Sequence, residues 1–302
     1  MATESLEQDC LHFGRVSSLA PLAGAWKLPQ NHRHILACLP TVACVALGGA
    51  PEQAQTSQEV WALLFDSAEA FDAVQDDHVP PPLTPARAIN VGLTLIFKAT
   101  QRLGQLPVPW QDRVYPFLYE TIEGQSEDVI KQHPTIQEAL GIAEKKTGAS
   151  FQLGCVLGAL SAGAPAESIA ALQAYGRALG TMVQIHDDLE LVEGLGLAQP
   201  KPVERFTNVA LAYAWEKLAP DLREVVANHL SAFVATREPA RAIGAYEILV
   251  RCGARLFCAI EVARHWQRAR QALDAAQIRP SPERSALFDL IDQLVHAFKA
   301  PP

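Results

Sequence analysis

Long helical stretches separated by proline and glycine constrain this chain more than any other feature. Runs of β-branched residues alternating with polar ones are missing from the sequence, and so are Asn-Gly and Asp-Gly hairpin turns. Hydroxyl side chains mark four helix starts: Thr56 with Glu59, Thr135 with Glu138, Thr84 before Pro85, and Ser281 before Pro282. We therefore expect an all-α protein forming a single domain over residues 1–302.

Apolar periodicity between these signals sets the expected helix bounds. The pattern predicts helices at about 30–47, 57–78, 85–105, 109–131, 136–162, 166–193, 203–217, 220–236, 240–275 and 283–299. The proline-rich patches at 79–85 and 194–202 each follow a helix that ends in aspartates, and both are too short to be domain linkers. We expect them to be loops at one end of a helical bundle.

Charge and composition exclude some classes of function. A net charge of -8 with a pI of about 5.6 argues against a nucleic-acid partner. The most apolar run is interrupted by Pro40 and is too short to span a bilayer, and the acidic start has no secretion signal. The six cysteines are scattered and lack the spacing of metal ligands. We expect them to be reduced thiols, as is usual in cytosolic proteins. We expect a cytoplasmic protein without stable membrane insertion.

The helix predicted at 57–78 carries carboxylates on its apolar face. Steps of three and four residues from Trp61 reach Phe65, Ala68, Asp72 and Asp76 on one side of the helix. Two like charges one turn apart on a core-facing side repel each other unless a cation bridges them. The alternative is a surface helix end with solvated aspartates, and this segment alone favours neither interpretation.

The helix predicted at 166–193 repeats the design. Its apolar face ends in Gln184 and Asp187, with Asp188 adjacent, just before a loop rich in glycine and proline. Two such helices facing each other would enclose a pocket that is apolar at depth and acidic at its mouth. Magnesium commonly binds through one or two carboxylates together with substrate phosphates. The pattern indicates a ligand with a phosphorylated head and an apolar tail.

Four segments carry a family resemblance. "ALGGAPEQA" (46–54), "GQSED" (124–128), "KKTGASFQLGCVLGA" (145–159) and "QIHDD" (184–188) resemble, in order and spacing, segments of the trans-isoprenyl diphosphate synthase superfamily, the polyprenyl synthetases. The C-terminal stretch from 262 to 295 is also similar to the ending of that family. The resemblance therefore covers nearly the whole chain.

The resemblance implies a helical bundle around a deep central cavity. Two aspartate motifs of that family hold about three Mg²⁺ ions, which grip the diphosphate of an allylic prenyl substrate. The resemblance also implies a homodimer, with helices near residues 85–131 in the interface. The apolar segment "INVGLTLIF" (89–97) is consistent with such an interface.

Single residues carry over to the aspartate motifs by position. Asp72 and Asp76 match the first and last aspartates of the first motif, and Asp77 is an alternative ligand if the helix ends early. Asp187 and Asp188 match the opening pair of the second motif. The remaining matches lie in elements near the diphosphate: Gln125, Asp128, Lys146, Thr147 and Gln184.

The departures from the family pattern matter as much as the matches. Ala73 replaces an aspartate of the first motif, and Leu191 replaces the closing aspartate of the second. Of the cations that bind isopentenyl diphosphate in chain-elongating members, only Arg33 survives in "LPQNHRHIL". After the first motif only Arg87 stands where a pair of arginines is usual. Diphosphate recognition depends on Arg and Lys donors, so the condensation half of the site looks weakened.

This pattern resembles the bacterial terpene synthases of the prenyltransferase fold. The expected function is therefore a class I terpene synthase, which ionises one prenyl diphosphate and cyclises or rearranges the cation. One alternative is a prenyltransferase that condenses an allylic diphosphate with isopentenyl diphosphate. Another is an inactive partner subunit of such a synthase. Small side chains at Ser67 and Ala68, one turn before Asp72, suggest a substrate of C20 or longer.

For the other polar residues near the motifs, a structural or solvated role is at least as well supported as a role in ligand binding. His78 and His186 flank the carboxylates, but magnesium prefers oxygen ligands, so a structural or solvated role is favoured. Arg251 and Arg255 form an i, i+4 pair that either approaches the diphosphate or pairs with acidic side chains.

Overall fold

The computed structural model describes residues 38–77, 79–197, 207–276, 278 and 280–299, and these residues form helices and loops without a strand. The predicted all-α class is confirmed. The helices are α1 (Leu39–Ala46), α2 (Gln55–Gln75), α3 (Pro85–Leu103), α4 (Val108–Ile130), α5 (Ile136–Ala143), α6 (Ala149–Ser161), α7 (Ala166–Gly194), α8 (Val209–Lys217), α9 (Pro220–Thr236), α10 (Pro239–Arg251), α11 (Ala254–Ala275) and α12 (Pro282–Lys299). A 3₁₀ turn (Pro51–Ala54) precedes α2, and a π-helical turn (Glu144–Gly148) joins α5 to α6.

Hydroxyl caps begin three of the helices, as predicted. The Thr84 and Ser281 side chains accept hydrogen bonds from the backbone N–H groups three residues on. Thr135 and Glu138 form a reciprocal capping box, with 3.2 Å from Glu138 N to Thr135 Oγ1 and 2.8 Å from Thr135 N to Glu138 Oε2. The prediction for Thr56 is wrong, because the 3₁₀ turn runs directly into α2 and places Thr56 inside the helix.

Three predicted helix bounds need correction. The helix expected at 240–275 is two helices, α10 and α11, because Gly253 adopts a φ of +88° that ends helical pairing. The helix expected at 57–78 ends at Gln75, and the one expected at 203–217 begins at Val209. The first part of the helix expected at 30–47 lies outside the described residues.

The described residues fall into two compact units, each assembled from separate stretches of chain. The first comprises the described residues up to Leu118 with Ser150–Gly176 and Arg270–Gln293, and the second comprises Tyr119–Ala149 and Arg177–Ala269 with the end of α12. A single domain over 1–302 stays a prediction. None of the described helices is both long and apolar enough to cross a bilayer.

An aromatic cluster forms part of the core of the first unit. Trp61 and Phe65 of α2 pack against Phe151 of α6, with ring centroids 6.3 and 6.2 Å from that of Phe151. The Trp61 indole N–H donates to the carbonyl oxygen of Ser150 at 3.1 Å, so the buried ring has a partner for its polar atom. This cluster fixes the deep end of the α2 face that carries Asp72.

Candidate active site

The π-helical turn of the second unit carries the lysine–threonine pair singled out in the sequence. Such turns insert an extra residue into a helix and are frequent at functional sites. Helix α4 passes so close to this turn that a Cβ on Gly124 would lie 2.6 Å from the backbone nitrogen of Lys146. Only glycine permits that approach, and it brings Asp128, one turn further along α4, beside the lysine.

Lys146 and Asp128 form a half-buried ion pair. Lys146 Nζ lies 3.1 Å from Asp128 Oδ2, and 20% and 13% of the two side chains are exposed. The other Asp128 oxygen accepts a hydrogen bond from the Thr207 hydroxyl. The neighbouring Lys145 pairs instead with Glu123 and Glu127. The pair therefore holds the Lys146 ammonium in one direction.

A chain of hydrogen bonds connects the π turn to the second aspartate motif. The Thr147 hydroxyl donates to Gln184 Oε1, and Gln184 Nε2 donates to Asp188 Oδ1 at 2.9 Å. Asp188 Oδ2 accepts from the backbone N–H of Val209 at 2.7 Å, and the Asp188 carbonyl oxygen accepts from Asn208 Nδ2. Asp188 thereby joins α7 to the start of α8.

The environment of Asp188 is that of a structural carboxylate. Burial raises its pKa to about 6, while the hydrogen bonds from Val209 and Gln184 oppose that rise. Both carboxylate oxygens are engaged by protein donors, whereas Asp187 beside it is only half-buried. Within this pair, Asp187 is the better placed to reach a ligand.

The first motif occupies the end of α2 in the first unit. Along one face, Trp61 and Phe65 are buried, Ala68 is exposed and Asp72 is half-exposed. The helix ends at Gln75, so Asp76 is the C-cap residue, and Asp77 follows with a φ of +53°. The face thus changes from aromatic to acidic toward a helix C-terminus.

The two residues expected to border the prenyl tail lie in different surroundings. Ser67 is 2% exposed, and its hydroxyl donates to the Gly92 carbonyl oxygen of α3 at 3.0 Å. Ala68 is exposed on the same face as Asp72. The inference about chain length therefore rests on Ala68, because Ser67 belongs to the contact between α2 and α3.

The remaining predicted site residues divide into described and undescribed ones. Gln125 is half-buried on α4 next to Gly124. Arg255 forms an ion pair with Glu193, and Arg251 is exposed. Arg33 and His78 lie outside the described residues.

Sequence reasoning missed three contributors to the second-motif region. Thr207 and Asn208 bind Asp128 and Asp188 across a long stretch of chain, and local spacing gives no signal for such contacts. Glu190 lies one turn after His186, with 3.7 Å between Glu190 Oε1 and His186 Nδ1. The i, i+4 spacing of these two residues was the available signal for that contact.

The sequence around the second motif is similar to that of known proteins. The sequence model of the polyprenyl synthetase family matches residues 83–197, a range that includes the π turn and the second motif. The resemblance to the polyprenyl synthetases is confirmed. Over 87 residues the chain is 40% identical to the (2E,6E)-farnesyl diphosphate synthases of Mycobacterium bovis and Mycobacterium tuberculosis. The match covers 28% of this chain and spans about a quarter, 24%, of the length of those relatives.

Solved structures show the same fold over most of the chain. Geranylgeranyl pyrophosphate synthetase from Pyrococcus horikoshii aligns with a TM-score of 0.76 and 20% identity, covering 98% of this chain and 91% of that one. A polyprenyl synthase from Caulobacter crescentus, complexed with calcium and isoprenyl diphosphate, aligns with a TM-score of 0.73 and 19% identity over 97% and 95% of the two chains. The isoprenoid-synthase type of all-α fold is confirmed.

Proposed function

We propose that this protein is a Mg²⁺-dependent trans-prenyl diphosphate synthase, which condenses an allylic prenyl diphosphate with isopentenyl diphosphate. The observation that carries the proposal is the polar network of Lys146, Asp128, Thr147, Gln184 and Asp188, which is built inside the segment that matches the polyprenyl synthetases. The expectation of a terpene synthase gives way to this alternative, because the compared proteins are named as prenyl diphosphate synthases.

The acidic end of α2 suits magnesium by its chemistry. Mg²⁺ is bound by oxygen ligands, usually one or two carboxylates together with phosphate oxygens and water. Asp72 and Asp76 offer such oxygens at the C-terminus of α2, where the helix dipole adds negative potential that a cation offsets. We assign them as metal ligands, with Asp77 as the alternative to Asp76 and an ion count of about three taken from the family.

In the second motif we assign Asp187 to the metal and Asp188 to positioning. Asp188 gives both oxygens to Gln184 and Val209, so its part is to hold the last turns of α7 against α8. Asp187 lies next to it and is half-buried. The contacts of Asp188 thereby hold the part of the α7 backbone that carries Asp187.

Lys146 and Ala68 complete the proposed roles. Bound magnesium supplies positive charge that eases departure of the diphosphate. Lys146, oriented by Asp128, adds a fixed ammonium for a diphosphate oxygen. Ala68, exposed on the α2 face that carries Asp72, is a small side chain that leaves room for the prenyl tail, in line with a substrate of C20 or longer.

A terpene synthase is the second candidate, and one observation favours it. The segment "LPQNHRHIL" keeps only Arg33 where the family places cations for isopentenyl diphosphate, and only Arg87 follows the first motif. A carbocation formed without a condensation partner is quenched by proton loss or by water. The same departures leave a third candidate, an inactive partner subunit.

One incubation series separates these candidates. The full chain is incubated with Mg²⁺ and C10 to C25 prenyl diphosphates, each with and without isopentenyl diphosphate. We expect longer prenyl diphosphates that form only when isopentenyl diphosphate is present. Hydrocarbons or alcohols from a single substrate would overturn the synthase assignment in favour of a terpene synthase, and complete inertness would favour a partner subunit.

The outer face of α3 supports the expected homodimer. Ile89, Leu93 and Phe97, spaced by four residues, are 40%, 43% and 69% exposed. An apolar stripe of this kind is typical of an interaction surface, and we propose that a second copy of the chain covers it. The cytoplasmic location expected from the sequence also stays a prediction.

Light scattering coupled to size exclusion tests the dimer. Leu93→Glu places a charge in the centre of the stripe and is expected to give a monomer at micromolar concentration, while Lys98→Glu, exposed on the same helix, is expected to leave the dimer intact. A monomeric parent protein, or a dimeric Leu93→Glu variant, would contradict the assignment.

A further inference from the structure

Three donor side chains cluster on the last turns of α7, beside the hydrogen-bonded network. His186, Asp187 and Glu190 each offer one donor atom, and these atoms all lie within 4.8 Å of one another. His186 Nδ1 lies 3.7 Å from Glu190 Oε1, which is too long for a direct hydrogen bond. Two atoms that bind a common ion are separated by a distance of this order.

The surroundings of the cluster suit a cation. His186 is only 7% exposed, whereas Asp187 and Glu190 are half-buried and reach the surface. A neutral imidazole carries a lone pair on one ring nitrogen and is a common metal ligand. The nearby Arg255 pairs with Glu193, which offsets its charge.

The sequence at this turn departs from the family at the position that matters. Leu191 replaces the aspartate that closes the second motif in the family pattern, so one carboxylate is missing from this turn. Glu190 supplies a carboxylate one residue earlier, on the side of the helix that His186 and Asp187 share. The same turn thus still offers a second carboxylate beside Asp187.

We propose that His186, Asp187 and Glu190 together bind one divalent cation through a nitrogen and two oxygens. This inference rests on the proposed function, because it names the metal preference of the second motif. Carboxylate and water ligands suit magnesium, whereas an imidazole ligand favours first-row transition metals. This one site should therefore prefer Mn²⁺ or a later metal over Mg²⁺, while the carboxylates Asp72 and Asp76 of the first motif suit Mg²⁺.

Metal binding without substrate tests the site directly. The full-length protein is titrated with MnCl₂ and with MgCl₂ by calorimetry, and pulsed EPR of bound Mn²⁺ detects coupling to an imidazole nitrogen. His186→Gln and Glu190→Gln remove one donor each with little change in volume. Glu167→Gln, at an exposed position near the start of the same helix, is the matched control.

The expected results are specific to the two donors. Mn²⁺ binds more tightly than Mg²⁺, and bound Mn²⁺ shows nitrogen coupling. His186→Gln abolishes the coupling, both donor variants weaken Mn²⁺ binding about tenfold or more, and the control does not. Unchanged affinity in folded Glu190→Gln, or an absence of nitrogen coupling in the parent protein, would overturn the proposal.

Prenyl diphosphate turnover reports on the proposed function separately. A protein that binds Mn²⁺ through His186 yet consumes no prenyl diphosphate supports this site and contradicts the synthase assignment. A protein that elongates prenyl diphosphates without nitrogen coupling to Mn²⁺ does the reverse. Circular dichroism of His186→Gln shows whether the buried substitution is tolerated, and Glu190→Gln, at a half-exposed position, decides the question if it is not.

Discussion

The two aspartate motifs are built in opposite ways. The second lies in a chain of hydrogen bonds that links Thr147, Gln184 and Asp188, all within the segment that matches the polyprenyl synthetases, and continues to Val209 at the start of α8. The first lies at a helix end, where α2 stops at Gln75 and the match to the family has not yet begun. A hydrogen-bonded network tolerates substitution poorly, because each side chain in it has a fixed partner. Carboxylates at a helix end can change their position in the sequence by a residue or two and still lie at that end.

The largest expected effect comes from removing the proposed metal-binding carboxylate of either motif. Asp72→Asn and Asp187→Asn each remove a charge without changing volume, and we expect kcat to fall about 10²–10³-fold, as on loss of one group that stabilises charge in a transition state. Melting temperatures should stay close to that of the parent. Asp289→Asn, exposed on α12, is the matched control. Full turnover by either variant would remove that carboxylate from the proposed site.

Asp188 is expected to differ from both of these residues. Asp188→Ala leaves the Val209 N–H and the Gln184 amide without an acceptor, which is expected to cost about 1–3 kcal/mol of unfolding free energy. Asp188→Asn keeps an acceptor for Val209 and allows the Gln184 amide to flip, so most of the stability should return. Urea unfolding measures the difference.

Turnover of the Asp188 variants separates positioning from metal binding. A positioning role predicts that Asp188→Asn keeps most of the activity, because the amide restores the contact with α8. If Asp188→Asn is as inactive as Asp187→Asn while remaining fully stable, Asp188 is a metal ligand and the division of roles within the pair is wrong.

Acid should weaken the unit that holds the second motif. Burial, with a smaller contribution from Arg268, lowers the pKa of His265 to about 4, and its Nε2 lies 4.0 Å from Glu144 Oε1 at the start of the π turn. Between pH 6.5 and 4 the unfolded chain therefore binds more protons at this residue than the folded one, so stability falls as pH falls. His265→Gln should flatten this dependence by roughly 1–3 kcal/mol. Urea unfolding at pH 7, 6 and 5 measures it, and an unchanged slope would show that the pKa of His265 is the same in the folded and unfolded states.

Local signals foretold much of the fold. The caps at Thr84, Thr135 and Ser281 depend on residues three positions apart, so the sequence predicts them directly. The break at Gly253 was missed because apolar spacing continues through "LVRCGARLF" on both sides of the glycine. Periodicity alone does not report that Gly253 adopts a left-handed conformation.

The candidate site was predicted less evenly. Residue types on one helix face placed Asp72 and Asp187 near the ends of apolar stripes, and both lie there. Ser67 was grouped with Ala68, although adjacent helical positions point about 100° apart, and its hydroxyl binds α3. The role of Asp188 depends on the backbone of Val209, twenty-one residues later. Contacts across such distances arise from packing, which spacing within one helix does not encode.

The smallest expected effect decides which aspartate ends the first motif. Asp77 is exposed with a φ of +53°, a conformation that asparagine tolerates well, while Asp76 is the half-buried C-cap of α2. If Asp76 is the ligand, Asp77→Asn changes stability by no more than about 0.5 kcal/mol, as surface substitutions usually do, and turnover by about twofold at most, the same free energy. Asp76→Asn should then resemble Asp72→Asn. If Asp77→Asn instead loses as much activity as Asp72→Asn, Asp77 is the metal ligand in place of Asp76, because α2 ends early at Gln75. The first motif would then depart further from the family pattern than the second.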